Sequence, residues 1–389
     1  MIFNLHCVHD ELKNTNNYDL SIKGVFKNKN RIKFDNIYAY HPFINSHDHL
    51  ISTWWPRAKT KEFYNSSKEW INDFKETETY NEFKLLFENE NIDDFTLEQN
   101  NLSINLGIYK NIFSGVFCVH DHIPNQCNEY YDNRQIEIIK KYNQIHSIEF
   151  FDMWNDTKKY SNDSTFILHL LEGKKLNINE NEISKEFEIF LNKYHKKNSI
   201  IVHGIKLSKA EIIKCFENDI TICCCPVSND FLYNEILDIE NVLKNNVNLI
   251  IGTDSLMTGG ISLFEELRMI SKKINPKILF KMITKNPIKA FSLNYSMILK
   301  NNCENVLLID KIKKCPYENL LYVNPENIKL FVYKSKPILG DLEFLNFFDF
   351  NTDDYFYFNN DRFVIDDLGL TLKKINEKIK YKKRFPFIN

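Results

Sequence analysis

Several short apolar runs along the chain end abruptly in polar side chains that can bind a metal ion or move a proton. The first of these runs ends at His47, and later ones end at His169, His203 and Asp254. Short apolar runs bounded by polar residues are typical of strands buried in a sheet. The pattern therefore predicts core strands whose C-terminal ends carry the chemistry of the protein.

The predicted strands alternate with helical patterns. We predict strands at 41–47, 112–120, 147–151, 165–170, 199–203, 220–225 and 248–253, with helices around 134–142 and 183–194. This alternation indicates a parallel sheet, and polar residues at successive strand ends favour a (β/α)8 barrel. The interval 151–165 is too short for another helix and strand, so we expect the fourth unit to be shortened or missing.

The predicted fold class is α/β, a distorted (β/α)8 TIM-like barrel with a small β-sandwich domain. The barrel spans 42–300, and short strands in 1–41 and 301–349 form the small domain from both ends of the chain. The remaining segment, 350–389, is predicted to be a tail with a helix. The polar stretch 51–106 is interpreted as an insertion after the first strand, in the position of a lid.

Composition and charge exclude several functional classes. The 50 basic and 52 acidic side chains nearly cancel, which does not favour a nucleic-acid partner. No segment has the apolar length of a membrane span, and the first residues do not resemble a signal peptide, so we expect a cytoplasmic protein. The nine cysteines have no CxxC spacing and are interpreted as buried thiols.

The first candidate metal ligands are His47 and His49. Residues two apart on a strand project from the same side, so both imidazoles can bind one ion. A pair of surface histidines on a loop has the same spacing, and the pattern alone does not separate the two interpretations.

Three later strand ends supply the partners that this pair needs. His169 can complete a metal site, and Glu172 can reach a bound water. His203 can bind the metal or polarise a substrate atom, whereas Asp254 can ligate the metal and accept a proton. Each also has an ordinary alternative: a capping glutamate, a hydrogen-bonded histidine, or an aspartate that caps a helix.

A second group of residues has the chemistry to contact a substrate. The triplet His120-Asp121-His122 ends the second predicted strand, where a substrate, a second metal or ordinary hydrogen bonding would each account for it. In the run after His49, Trp55 and Arg57 can stack on a planar ring or bind a carboxylate, although core packing of the tryptophan is equally consistent.

These pieces together resemble a known family. The matching motifs are Pro42–His49, His169–Gly173, Val202–Gly204, Cys225–Asn229 and Gly252–Asp254. In this order and spacing the sequence resembles the amidohydrolase superfamily, and within it the cytosine, guanine, adenosine-derivative and triazine hydrolases that share a mononuclear metal site.

The resemblance implies roles for individual residues. One divalent ion, zinc first and iron second, would be held by His47, His49, His169 and Asp254. The implied catalytic residues are Glu172, which moves a proton from the water to the leaving nitrogen, His203 beside the metal, and Asp254.

The resemblance also implies a function. We expect a hydrolase of carbon–nitrogen bonds other than peptide bonds, specifically a deaminase that attacks an amino-substituted nitrogen heterocycle with a metal-activated water. The alternatives are a hydrolase of another C–N or C–halide bond, and a catalytically silent barrel that binds a small ligand. The expected partner is a small-molecule substrate, and relatives often assemble as homo-oligomers.

Overall fold

The structure is a computed structural model of the chain. The residues that it describes are 2–9, 15–24, 31–55, 57–81, 98–122, 131, 134–140, 142–149, 164–366 and 368–378. Most of the predicted short interval 151–165 lies outside the described residues.

The strands of the described part are β1 (Ile2–Cys7), β2 (Thr15–Ser21), β3 (Arg31–Tyr40), β4 (Phe43–Asp48), β5 (Val116–Asp121), β6 (Glu137–Ile138), β7 (Asn143–Ser147), β8 (Phe166–Leu170), β9 (Ser199–His203), β10 (Thr221–Cys224), β11 (Leu249–Ile251), β12 (Val306–Asp310), β13 (Ile328–Tyr333), β14 (Lys336–Asp341), β15 (Tyr355–Phe358) and β16 (Arg362–Ile365).

The α-helices are Ser67–Phe74, Glu98–Ile112, Lys185–Ile189, Lys209–Glu217, Pro226–Tyr233, Ile239–Lys244, Leu263–Ile270, Pro276–Met282, Lys285–Phe291, Pro316–Asn319, Leu342–Leu345 and Leu368–Lys378. Single-turn 3-10 or π-helical segments are Leu50–Trp54, Phe190–Tyr194, Ser271–Lys273, Pro325–Asn327 and Thr352–Asp354. None of the described helices is both long and apolar enough to cross a bilayer.

The core strands β4 to β11 are parallel and form two sheets. One sheet has the order β4-β5-β6 and the other has the order β11-β10-β9-β8-β7. The two sheets meet where Asp48 and Asp254 form a parallel bridge and the amide of Asp254 donates to the carbonyl of His47 at 3.0 Å. Because all these strands run the same way, their C-terminal ends lie at one edge.

The meeting of β4 and β11 depends on a glycine. A Cβ atom added at Gly252 would lie 2.5 Å from the Cβ atom of His47 and 2.7 Å from its carbonyl oxygen. Any larger residue would therefore push the strand end that carries Asp254 away from the strand end that carries His47.

Two predicted elements between β5 and β8 are wrong. The predicted helix at 134–142 is not found in the described residues 134–140, which contain β6, whose Glu137 and Ile138 pair with β5. The predicted strand at 147–151 begins earlier, as β7. The apolar spacing in 134–142 resembles a helical period, but pairing with a distant strand overrides this local preference.

The core therefore has eight described parallel strands, one more than predicted, and a fourth strand is present. Counted from β4, the fourth strand is β7. His169, His203 and Asp254 lie at the ends of the fifth, sixth and eighth strands.

The terminal segments form a separate mixed sheet in the order β15-β16-β14-β13-β12-β3-β1-β2. Strands from both ends of the chain thus lie in one sheet. The eight terminal strands form this one sheet, which continues past residue 349, and a β-sandwich stays a prediction.

Candidate metal centre

The four predicted metal ligands come together at the C-terminal edge of the core. His47 and His49 leave β4, His169 lies on β8, and Asp254 follows β11. One ligand atom from each of them lies within 4.8 Å of all the others. Asp254 Oδ1 is 3.6 Å from His47 Nε2 and 3.4 Å from His49 Nε2. The Nε2 atoms of His47 and His169 are 3.1 Å apart.

The protonation states of these residues suit a metal ion. Burial lowers the pKa of all three imidazoles, to about 3 for His49, so each is a neutral lone-pair donor. Burial alone would raise the pKa of Asp254, but the hydrogen bond to His47 and the nearby charge of His203 lower it well below its usual range. Three neutral imidazoles and one carboxylate fit a single divalent ion.

Neighbouring groups hold the ligands in place. The carbonyl oxygen of His146 lies 2.7 Å from His169 Nδ1, which leaves Nε2 of that ring directed at the other ligands. Ser228 Oγ donates to Asp254 Oδ2 at 2.6 Å. Such outer contacts set the orientation of a ligand and affect metal affinity. Ser228 is therefore a supporting residue of the site.

The predicted catalytic residues Glu172 and His203 are neighbours. Glu172 Oε1 lies 3.9 Å from His203 Nε2 and accepts a hydrogen bond of 2.6 Å from the Tyr233 hydroxyl. The other ring nitrogen of His203, Nδ1, lies 2.8 Å from Asn229 Oδ1. Asn229 and Tyr233 lie four residues apart on the helix Pro226–Tyr233. Sequence reasoning missed Tyr233, although this helical spacing places both on one face.

The sequence analysis also did not predict a buried ion pair next to the metal ligands. Lys110 donates to Asp48 Oδ1 at 2.8 Å, to Thr253 Oγ1 at 3.2 Å and to the carbonyl oxygen of Asp254 at 3.4 Å. Asn45 contributes further hydrogen bonds to Asp48 and Thr253. The pair could not be recognised in the sequence because Lys110 lies on the helix Glu98–Ile112, far along the chain from β4.

The second histidine triplet lies beside the metal ligands. The His122 ring centroid is 5.2 Å from that of His47 and 4.3 Å from that of His169. His120 packs edge-on against Tyr142 with a centroid distance of 4.5 Å. Burial raises the pKa of Asp121, between them, to about 7. That His120 and His122 contact the substrate stays a prediction.

Trp55 and Arg57 lie on the segment after β4. Trp55 is 2% exposed. The Arg57 guanidinium donates to the carbonyl oxygen of Gly259 at 2.6 and 3.0 Å and lines a cavity of about 300 Å³ with Lys59 and Phe231. Substrate binding by Trp55 and Arg57 also stays a prediction.

Comparison with known proteins agrees with this arrangement. The model of the amidohydrolase family matches residues 153–302. A 5-methylthioadenosine/S-adenosylhomocysteine deaminase from Thermococcus sibiricus is 30% identical over 162 residues, which are 36% of this chain and 38% of the relative. The chain thus matches less than two fifths of the length of this curated relative.

Solved structures resemble the chain over nearly its whole length. An adenosine deaminase from Xanthomonas campestris with bound zinc has a TM-score of 0.60 and 14% identity, covering 90% of this chain and 94% of that one. A guanine deaminase from C. acetobutylicum with bound guanine has a TM-score of 0.58 and 16% identity, covering 87% and 99%. At such low identity, the likeness concerns the fold.

The resemblance predicted from the motifs is confirmed by these matches. The motifs from His169 to Asp254 fall inside the matched segment. His47 and His49, from the end of β4, lie next to His169 and Asp254 in the structure. Residues 153–302 of this chain therefore match the amidohydrolase family, and the chain shares the fold of the adenosine and guanine deaminases of known structure.

Proposed function

We propose that the protein is a metal-dependent hydrolase that deaminates an amino-substituted nitrogen heterocycle. The observation that carries this proposal is the convergence of His47, His49, His169 and Asp254 within 4.8 Å, with Glu172 and His203 beside them. The curated relatives named as deaminases of adenosine derivatives support the choice of a ring amine, although they match only part of the chain.

The metal ion supplies one part of the chemistry. A divalent ion held by these four residues would lower the pKa of a coordinated water to near neutrality and so provide the nucleophile. The catalytic residues that we propose are Glu172, His203 and Asp254, the last acting also as a ligand.

The hydrogen bonds around Glu172 indicate its role. Because Oε1 accepts a hydrogen bond from the Tyr233 hydroxyl, Oε2 is the oxygen left to take up a proton and deliver it to the leaving nitrogen. Protonation of that nitrogen turns a poor leaving group into ammonia.

His203 is held for a contact with the substrate. Since its Nδ1 is paired with Asn229, its Nε2 is left to polarise the ring atom where charge develops. His203 has a backbone φ of 71°, a left-handed conformation that is uncommon outside glycine and often accompanies function.

We propose further that the eight parallel strands form a distorted (β/α)8 barrel and that the terminal strands build a small β-sandwich domain. The likeness to whole deaminases supports this architecture. A small-molecule partner follows from the proposed reaction, whereas homo-oligomerisation, the lack of a nucleic-acid partner and a cytoplasmic location stay predictions.

Ammonia release from a panel of amino-substituted purines, pyrimidines and triazines tests the function. We expect turnover of at least one of them by protein loaded with zinc, and loss of turnover after removal of the metal by a chelator. Release of halide or alkylamine without ammonia from such a panel would identify another hydrolase. A chain that binds no stoichiometric transition metal would contradict the proposal.

The variant Glu172→Gln tests the mechanism. We expect it to bind metal like the unaltered protein but to lose roughly 100-fold or more in kcat, because an amide cannot carry the proton. Glu217→Gln is a matched control, since Glu217 lies on an exposed helix end and pairs with Lys214. Full turnover by Glu172→Gln would remove Glu172 from the mechanism.

A further inference from the structure

The metal ligand His49 is held differently from two of the other ligands. His169 and Asp254 each have a neighbouring group that orients the side chain, the carbonyl oxygen of His146 and the hydroxyl of Ser228. Nε2 of His49 lies 3.4 Å from Asp254 Oδ1, and in the described part of the chain no group outside the ligands forms a hydrogen bond with this ring. The direction of the His49 imidazole therefore depends on the backbone that carries it.

The backbone after His49 turns at once into a short helical segment. Residues Leu50–Trp54 form a 3-10 turn, and the carbonyl oxygen of His49 accepts a hydrogen bond of 2.9 Å from the amide of Ser52. The first amides of a helical turn have no partner inside the turn, and a side chain at the N-cap position often accepts one of them. His49 occupies that position, and its side chain forms no such bond. The amide of Leu50 thus needs an acceptor from another part of the chain.

Asp121 provides this acceptor. Its Oδ1 accepts a hydrogen bond of 2.9 Å from the amide of Leu50, and its Oδ2 accepts one of 2.5 Å from the Tyr131 hydroxyl. The side chain is completely buried, and Asp121 pairs with Asp48, the residue before His49, in the register of β5 with β4. Hydrogen bonds to a carboxylate are roughly twice as strong as those between neutral groups. Asp121 therefore holds the point at which the chain leaves β4.

The alternation of side chains along β5 separates Asp121 from the histidines on either side. The rings of His120 and His122 approach His47, with centroid distances of 5.7 and 5.2 Å. Successive side chains of a strand point to opposite faces, and the carboxylate of Asp121 accordingly contacts the start of the turn Leu50–Trp54. Asp121 thus acts on the backbone at the end of β4 from outside the cluster of rings.

We propose that Asp121 is a positioning residue of the metal centre, which fixes the backbone of His49 through the amide of Leu50 and so directs the His49 imidazole at the ion. Groups that orient a ligand affect the affinity of a metal centre. The inference rests on the metal-binding part of the proposed function and is independent of the substrate.

Metal binding by the full chain tests the proposal, with Zn²⁺ and Co²⁺ alone as probes. Zn²⁺ affinity is measured by competition with a chromophoric chelator, and the visible spectrum of the protein saturated with Co²⁺ reports the geometry of the ligands. Asp121→Leu has a side chain of similar shape without an acceptor. For this variant we expect Zn²⁺ affinity to fall about 10–100-fold and the Co²⁺ spectrum to change.

The conservative variant Asp121→Asn should restore both properties. Its amide oxygen can still accept the hydrogen bond from Leu50, and its NH₂ group can donate to the oxygen of the Tyr131 hydroxyl. We therefore expect a Zn²⁺ affinity and a Co²⁺ spectrum close to those of the unaltered protein. If Asp121→Leu does not fold, Asp121→Glu replaces it, because it keeps the charge but displaces the oxygens by one methylene group. We expect a changed Co²⁺ spectrum for Asp121→Glu as well.

Tyr131→Phe is the matched control. It removes the other hydrogen bond of the same carboxylate and leaves the bond to Leu50 in place. We expect it to lower the free energy of unfolding of the metal-free protein, measured with urea, and to leave the Co²⁺ spectrum unchanged. If Asp121 supported only the stability of the fold, Asp121→Leu would also leave this spectrum unchanged.

The results distinguish a failure of this inference from a failure of the proposed function. If the unaltered chain binds one ion, and Asp121→Leu or Asp121→Glu leaves the affinity and the spectrum unchanged, Asp121 does not position His49, while the deaminase proposal stands. If the unaltered chain binds no ion, the proposed function fails and this inference fails with it. A spectrum that changes in these variants, but not in Asp121→Asn or Tyr131→Phe, establishes the role of Asp121.

Discussion

At the scale of residues, a single described side chain donates a hydrogen bond to the proposed catalytic residue Glu172. The Tyr233 hydroxyl is the described side-chain donor to Glu172, and the ring that carries it is buried against Tyr64 and Leu232. Because Tyr233 touches the carboxylate and not the metal ligands, it provides a test of the proton-transfer geometry that leaves the metal in place.

For Tyr233→Phe we expect kcat to fall roughly 10- to 150-fold, since a hydrogen bond to a charged group contributes about 1.5–3 kcal/mol. Steady-state kinetics on the substrate found by ammonia release, together with metal analysis, provide the measurement. Tyr64→Phe is the control, because Tyr64 lies in the same apolar cluster and its hydroxyl donates to Asp73 instead. Equal kcat values for both variants would rule out positioning of Glu172 by Tyr233.

Gly252 allows β11 to approach β4. In Gly252→Ala the added methyl group meets the Cβ atom and backbone of His47, so we expect Asp254 to move away from the histidines and Zn²⁺ affinity to fall at least tenfold. Gly340→Ala makes a similarly close approach at the carbonyl oxygen of Lys329 in the terminal sheet, away from the ligands, and should lower stability with a smaller effect on metal binding. Unchanged Zn²⁺ affinity in Gly252→Ala would contradict this account.

At the scale of elements, the helix Glu98–Ile112 connects two strand ends. Lys110 on this helix bonds to Asp48 of β4 and to the residues that follow β11, and its side chain is 1% exposed. Burial raises the pKa of Asp48, and the charge and hydrogen bond of Lys110 oppose that shift. The ion pair therefore fixes the distance between the chain segment that carries His47 and the segment that carries Asp254.

Loss of one partner of this buried pair should be costly. For Lys110→Met we expect the free energy of unfolding to fall by about 3–5 kcal/mol, because Asp48 is left buried without its partner. We also expect Zn²⁺ affinity to fall about 10–100-fold, as for other groups that orient ligands. Urea unfolding and chelator competition provide the two measurements.

The double variant and a surface pair complete this test. Asp48→Asn combined with Lys110→Met should recover part of the stability, since no unpaired charge remains. Lys214→Met removes the exposed pair with Glu217 and should change stability by only about 0–1 kcal/mol. Equal effects of Lys110→Met and Lys214→Met would show that the buried pair does not support the site.

At the scale of the whole molecule, pH should affect stability through Glu266. This residue is fully buried. Its side-chain oxygens accept hydrogen bonds from the backbone amides of Val227 and Gly260, and these bonds join three segments around the site. Burial nevertheless raises its pKa from 4.5 to about 8. Between these values the folded chain keeps a proton that the unfolded chain loses.

The free energy of unfolding should therefore decrease as pH rises from about 4.5 to about 8, by a contribution on the order of a few kcal/mol from this group. Glu266→Gln should remove that contribution, although the amide loses one hydrogen bond at every pH. Urea unfolding of both proteins at pH 5 and pH 9, with a chelator present, measures the difference. The same pH dependence in both proteins would contradict the assignment.

Local sequence patterns were sufficient for much of the core. Apolar runs that end in polar residues identified β4, β8, β9 and the segment of Asp254, because buried parallel strands are apolar on both faces and their ends are not. The same patterns failed at β6. The apolar spacing around Glu137 and Ile138 resembles a helical period, but pairing with β5 places these residues in a strand.

The identity and order of the four metal ligands were readable along the chain, since each follows a recognisable strand in a characteristic motif. The sequence did not predict the contact of Lys110 with Asp48 or the contact of Tyr233 with Glu172. It also did not predict that His122 approaches the ligand rings. These side chains come from elements separated by many residues, and no local spacing encodes the distance between them. Chain packing alone brought them together, because parallel strands align their ends and neighbouring helices supply the buried partners.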